Sequence, residues 1–173
     1  MAKTLNFEIL GEPTPKQSAR HAINNGRITS WQPAKIKNQT AFIRDAITQQ
    51  LPENFIPFNG VPLFVKIHFL FVKSKSIRKG ITQKTTKPDV DNLMKLVLDA
   101  MQGIVYLNDA NIVELTGVKE FSLIDRPATL IFVAQLPEGE NDRAKKETSD
   151  TLFKWRATDD SPVRNGSTNE TTI

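Results

Sequence analysis

The chain has 173 residues, 24% of them charged, a net charge of +4 and no cysteine. Such a length suits one domain, or one domain with a tail, and the missing thiols exclude disulfides, thiolate metal centres and cysteine nucleophiles, leaving His21 and His68 as the only imidazoles. Any metal ion must be held mainly by oxygen; no apolar run approaches the roughly 18 residues of a membrane span, and residues 1–7 lack the apolar stretch of a signal peptide, so a cytoplasmic location without a membrane partner is expected.

Residues 5–10 alternate apolar and polar as a half-buried strand does, and Gly11-Glu12-Pro13-Thr14-Pro15 ends it. Residues 16–32 mix Lys16, Arg20, His21 and Arg27 with Ser, Asn and Gly, which predicts a basic loop or a weak hairpin around Asn24-Asn25-Gly26. From Pro33, placed as the first residue of a helix, Ile36, Phe42, Ile43, Ala46, Ile47 and Leu51 recur mostly at helical spacing, predicting a helix of about 16 residues. Prolines and Gly60 punctuate residues 52–62; residues 63–72 then form a long apolar strand in which His68 is expected to be structural. Residues 73–87 hold Lys73, Lys75, Arg78, Lys79, Lys84 and Lys87 with hardly an apolar side chain to bury, predicting a mobile basic loop in contact with nucleic acid.

The strongest helix, 92–101, places Leu93, Leu96, Val97, Ala100 and Met101 at i, i+3, i+4, i+7 and i+8, with Gly103 to cap it. Met94 and Leu98 widen its apolar surface, so the helix is expected to be largely buried with one polar stripe of Asp91, Lys95 and Asp99. After the turn pair Asn108-Asp109, residues 112–120 and 128–136 read as two strands bent at Asp125-Arg126-Pro127, expected to form a hairpin packed on that helix. From Pro137 the composition turns polar around the apolar island Leu152, Phe153 and Trp155. The chain therefore divides into a domain of residues 1–136 and a polar tail, 137–173, expected to be disordered.

Charge is divided along the chain. Residues 1–87 carry 14 Lys/Arg against 4 Asp/Glu, residues 88–136 carry 3 against 7, and the tail 6 against 8. Acidic residues beside a basic half suit a protein that draws a polyanion to a metal-loaded acidic site, although a merely solvated basic face has the same totals. Within a helix, residues two apart point about 200° away from each other, so Asp89 and Asp91 cannot share a ligand from inside one. Pro88 favours an extended Lys87 and sets residues 89–92 at the helix start, where the two carboxylates can converge. Either can instead serve as an N-cap, the commoner role of a lone Asp-x-Asp. Lys95, one turn inside a buried helix, would stabilise little by pairing with Asp91, and a short reversal is expected to return Asp109 beside the helix start. Hard carboxylates suit Mg²⁺, with Mn²⁺ as a substitute. Phosphodiester hydrolysis needs such an ion to activate water and to offset charge developing on the phosphate oxygens, and Lys95 is expected to stabilise that charge or to orient the water.

The run Lys87-Pro88-Asp89-Val90-Asp91-Asn92-Leu93-Met94-Lys95, then Val97-Leu98-Asp99-Ala100, then residues 103–114 around Tyr106-Leu107-Asn108-Asp109, closely resembles the core of the RusA family of Holliday junction resolvases. The opening Gly11-Glu12-Pro13-Thr14-Pro15-Lys16 with Arg20 is similar to that family's N-terminal pattern, so the resemblance extends from about residue 5 to residue 136 and excludes the tail. It implies an α/β (α+β) fold, a small mixed sheet packed against two main helices, in a homodimeric Mg²⁺-dependent endonuclease that nicks four-way DNA junctions symmetrically. By the same resemblance Asp89, Asp91 and Asp109 are metal-binding and catalytic, and Lys95 is essential. Lys16, Arg20, Lys73, Lys75, Arg78, Lys79, Lys84 and Lys87 are expected on the DNA backbone. Asn108 departs from the acidic pair common in the family, while Glu114 and Lys119 occupy positions often charged there. Two other readings fit the residues: a branched-DNA-binding accessory protein that does not cut, and a nuclease specific for flaps or single strands.

Overall fold

The computed structural model describes residues 3–17, 20–24, 27–31 and 33–137, and within the 20–31 hairpin only the backbone path and the side chain of Arg27. The tail beyond Pro137 and the side chain of Arg20 lie outside the described residues. Strand β1 (Thr4–Leu10) is followed by the hairpin β2 (Arg20–Asn24) and β3 (Arg27–Trp31), helix α1 (Ala34–Thr48), strand β4 (Leu63–Phe71), helix α2 (Val90–Met101), a 3₁₀ turn (Asp109–Asn111), and strands β5 (Ile112–Phe121) and β6 (Ala128–Gln135). The expected α+β architecture is present: a four-stranded mixed sheet with two helices on one face.

The sheet order is β1-β6-β4-β5. β6 pairs antiparallel with both β1 and β4, and β5 runs parallel to β4. The predicted hairpin of the last two strands is therefore not formed, because β4 lies between them. Seven of the nine residues of β4 are buried, a two-faced apolarity that requires a ladder on each side. β5, half-exposed along most of its length, takes the edge. Its parallel direction follows from the crossover through α2, since parallel neighbours cannot be joined by a tight turn. The chain then passes from β5 to β6 over the end of β4, where the Ser122 amide donates to the Phe71 carbonyl (2.8 Å) and the Ser122 hydroxyl accepts from the Arg126 amide (3.1 Å).

Leu5, Phe7 and Ile9 of β1, alternate residues of β4, and the inner faces of both helices form one core. Pro33 is the N-cap of α1 rather than its first helical residue, its carbonyl accepting from the Ile36 amide (2.9 Å). Gln50 fastens the end of α1 to β1, accepting from the Glu8 amide and donating to the Glu8 carbonyl, both at 2.9 Å. Arg44 reaches from α1 to the carbonyls of Ala100 (3.0 Å) and Gln102 (2.8 Å), placing a cation at the negative end of α2. The expected glycine cap is thus supplemented: Gly103, at φ 83°, reverses the chain while Arg44 satisfies the carbonyls.

α2 starts two residues earlier than its periodicity indicated, at Val90, and its stripe is not buried. Asp91 and Lys95 have side chains 58% and 61% exposed, so theirs is a surface pair that contributes little stability and leaves both groups accessible. The 73–87 segment also differs from expectation. Its end is stitched to β5, with the Phe121 amide donating to Thr82 (2.7 Å) and the Lys84 amide to Lys119 (3.3 Å), while Ile77 packs on the core. An edge strand with unpaired amides recruits whatever polar backbone lies beside it.

α2 lies close against β5 at Gly117, where an added Cβ would clash with Met94 Sδ and stand 3.0 Å from Val90 Cγ2. Gly117→Ala is expected to cost about 1–3 kcal/mol of stability, the usual penalty of overpacking. A Met94→Ala background should reduce that cost, which chemical denaturation of the four proteins of the double-mutant cycle measures.

Candidate active site

Asp89 is the N-cap of α2, with extended backbone (φ −74°, ψ 141°), and its carbonyl accepts from the Leu93 amide (3.2 Å). Its carboxylate makes no capping hydrogen bond. Capping therefore does not occupy this side chain, and it remains exposed to accept another ligand. Asp91, in the first helical turn, benefits from the positive end of the helix and has Lys95 Nζ 3.4 Å from its Oδ2.

Three segments wall the space in front of Asp89. The 11–17 strap docks by the Lys16 amide on the Asn92 carbonyl (2.8 Å) and buries Pro13. The 82–88 segment supplies Lys84 and Lys87, and β4 supplies Phe71 at the base. Together they form an open cleft of about 480 Å³ that includes Glu12, Lys16 and Asn92. Lys84 lies over the Phe71 and Phe121 rings, 5.0 and 5.8 Å from their centroids, and bonds the Thr86 hydroxyl (2.8 Å), so its charge is held at the cleft by stacking. Lys75, Arg78, Lys79 and Lys87 are exposed, whereas Lys73 folds back on the Ile81 carbonyl (2.8 Å). Lys16 is ion-paired with Asp99.

Asp109 is elsewhere. It precedes β5 in the 3₁₀ turn, whereas the level of Asp89 is marked by Lys119, whose amine donates to Pro88. Lys119 lies seven residue steps along the strand from Ile112, a distance on the order of 20 Å at about 3.3 Å each. The reversal after α2 thus returns Asp109 to the end of the helix and not to its start. Among the described residues no three carboxylates or imidazoles are gathered at one point. Asp89 and Asp91 at the helix start are of the donor type that fits Mg²⁺, which takes one or two carboxylates alongside water and phosphate. Asn108 has a local role: its side chain accepts from the Ala110 amide (3.0 Å) and caps the 3₁₀ turn that presents Asp109.

Sequence reasoning did not single out Glu12, Asp99 or Tyr106. Glu12 sits within the Gly11-to-Lys16 pattern, and Asp99 within the polar stripe, but their partners are remote in sequence. Tyr106 is fully buried and its hydroxyl donates to the Leu98 carbonyl (2.8 Å). Burial, then the charges of Asp109 and Asp99, raise its pKa well above the ordinary value of 10.0, because each disfavours a phenolate.

A raised folded-state pKa contributes stability that is present below the unfolded-state value and lost as pH rises through the folded-state value. Tyr106 is the only tyrosine, so phenolate absorbance of the native protein should be missing at about pH 10.5 and appear on adding denaturant, with stability falling above about pH 10. Phenolate appearing in the native protein at its ordinary pH would contradict the burial. Tyr106→Phe should abolish the signal and cost about 1 kcal/mol for the lost hydrogen bond.

Among the described residues, no helix is long and apolar enough to cross a membrane. Comparison with known proteins agrees with the motif. A relative from Bacillus subtilis (strain 168), named "Uncharacterized protein YqaN", is 33% identical over 135 residues, which span 73% of this chain and 94% of the relative. The family model described as "Endodeoxyribonuclease RusA" matches residues 11–133, from the strap that walls the cleft to the third residue from the end of β6. With the acidic helix start, the lysine-lined cleft and strands β4 and β5 all inside that match, the chain belongs to the RusA endodeoxyribonuclease family.

Proposed function

We propose that this protein resolves four-way DNA junctions as a Mg²⁺-dependent homodimeric endonuclease, cutting two strands symmetrically in recombination and repair. The observation that carries this reading is the pair Asp89 and Asp91 at the start of α2, exposed, with no capping bond on Asp89, beside a cleft lined by lysines in a chain of the RusA family. Asp89 and Asp91 would hold the metal ion, which when bound supplies an activated water and charge neutralisation at phosphorus. Asp109 is proposed as a further ligand of this kind.

The chain's own residues bind and orient the substrate. Lys84 and Lys87 flank Asp89 and set the scissile phosphate against it, while Lys75, Arg78 and Lys79 extend the cationic track outward. Lys16 and Arg20 are proposed to belong to the same track, Lys16 from within its pair with Asp99, and Lys73 at its inner end. Lys95 is held only by an exposed pair with Asp91, so it can turn to a phosphate oxygen at small cost and stabilise charge there, or orient the attacking water. Cleavage in this manner leaves a 5′-phosphate and a 3′-hydroxyl.

The homodimer has support in the sheet edge. Leu107, Val113 and Leu115 are exposed near the start of β5, and among the described residues the 82–84 segment covers only the far end of that edge. Antiparallel pairing of two copies along residues 112–118 would carry Asp109 of one copy toward the end of the strand where Lys119 holds Pro88 in the other.

With a synthetic four-way junction and Mg²⁺, paired nicks are expected that a flap and a linear duplex do not receive. Asp91→Asn and Lys95→Ala should each lower the rate about a hundredfold or more while retaining binding. Junction affinity should fall steeply with salt, with a log–log slope of about −4 or steeper if five or more phosphates are neutralised. Tight junction binding without nicks in either Mg²⁺ or Mn²⁺ would leave the accessory-protein reading standing, and equal cutting of the flap would leave the general nuclease.

A further inference from the structure

The side chain of Lys119 enters the site from behind. It stands on β5 opposite Phe69, on the core face of the sheet, and its ammonium donates to the Pro88 carbonyl (2.6 Å) and the Thr86 carbonyl (2.9 Å). Those are the last turns of backbone before Asp89. Around it the Lys84 amide bonds the Lys119 carbonyl, Gln83 bridges Glu120, and two residues earlier Gly117 lets Val90 and Met94 lie against the strand. Much of what fixes the position of the Asp89 backbone therefore converges on residues 117–121 of β5. Lys119 reaches it with a side chain, through charge-assisted bonds stronger than neutral ones.

We propose that Lys119 is a positioning residue of the cleavage site: its ammonium clamps residues 86–88 and thereby sets the direction of the Asp89 carboxylate relative to Asp91. This rests on the reading of Asp89 and Asp91 as the reacting centre. Two backbone carbonyls neutralise no charge, so the ammonium also keeps a positive charge beneath a site that must gather carboxylates and phosphate, countering their mutual repulsion. A lysine that merely filled space on the core face would be replaceable by a long apolar side chain; one that clamps is not.

The test compares Lys119→Met, which retains length and apolar stem, with Lys119→Arg, which retains donors. In the metal-free, DNA-free protein, Lys119→Met should speed amide exchange in the 84–92 segment about tenfold or more while leaving α1 and β6 unchanged, and Lys119→Arg should restore much of the protection. On the four-way junction, Lys119→Met should lower kcat and raise the Mg²⁺ concentration for half-maximal rate, each about tenfold or more, with junction Kd changed less than about threefold. Unchanged exchange at 84–92, or exchange accelerated equally everywhere, overturns the clamp. So does a junction Kd weakened in full proportion to the loss of rate, which would make Lys119 a DNA contact. If Lys119→Met does not fold, the Arg variant decides: near-normal exchange and rate support the clamp, and loss of both despite normal folding opposes it. A wild-type protein that cuts nothing defeats the reading of the site, while the exchange result still decides the clamp.

Discussion

The first turns of α2 sit directly on β5 because residue 117 has no side chain, and the geometry of the acidic site descends from that approach. Val90 and Met94 occupy the space a Cβ would need. Packing at this density transmits position faithfully: a helix seated on backbone cannot rock as one seated on long side chains can. The benefit falls on Asp89 and Asp91, at either side of Val90. Arg44 holds the opposite end of the same helix from α1, and Tyr106 pins its last turn from beneath, so α2 is fixed along its whole length. A small helix thereby acts as a rigid bracket for two exposed carboxylates.

Much of this was legible in the sequence, for reasons that also explain the gaps. Periods of 2 and 3.6 residues report which face of an element is buried, and they located β1, β4, α1 and α2 to within a few residues. They carry no information on which strands are neighbours. The continuous apolarity of β4 was the available sign that it would be central, and it excludes the hairpin of β5 with β6. The polar stripe of α2 was recognised, but burial inferred from its apolar flanks overstated the enclosure of Asp91 and Lys95. Asp109 illustrates another limit. Nearness to α2 in sequence fixed only that it adjoins the helix, and the direction of β5 decided which end. Lys119 to Pro88 and Lys16 to Asp99 bridge 31 and 83 residues, and no local pattern announces such partners.

The electrostatic layout has a division of labour. Among the described residues, Lys75, Arg78, Lys79 and Lys87 stand exposed along the 73–87 segment, where long-range attraction of a polyanion is least costly. Three others are restrained: Lys84 by two rings and a hydroxyl, Lys16 by a carboxylate, Lys119 by carbonyls. On the proposed reading, restraint would reduce the entropy lost on binding a phosphate, so the inner cations would favour precision and the outer ones capture. Tyr106 sits near Asp99 and Asp109 as a neutral hydrogen-bond donor, giving the far end of α2 a polar anchor without adding charge.

The position of β6 has a consequence for how the molecule comes into being. It is the last of the described strands, yet it fills the gap between β1 and β4, pairing Phe7 with Ile131 on one side and Ile67 with Ile131 on the other. Until it arrives, β1 has no ladder at all, and the central strand has only the β5 side satisfied. The unit of β4, α2 and β5 can assemble from neighbouring contacts, but the sheet closes only through pairings of high sequence separation, the kind that form late. During synthesis the acidic helix start can therefore take shape before the floor beneath it is complete, and the sheet is finished only when β6 slots home.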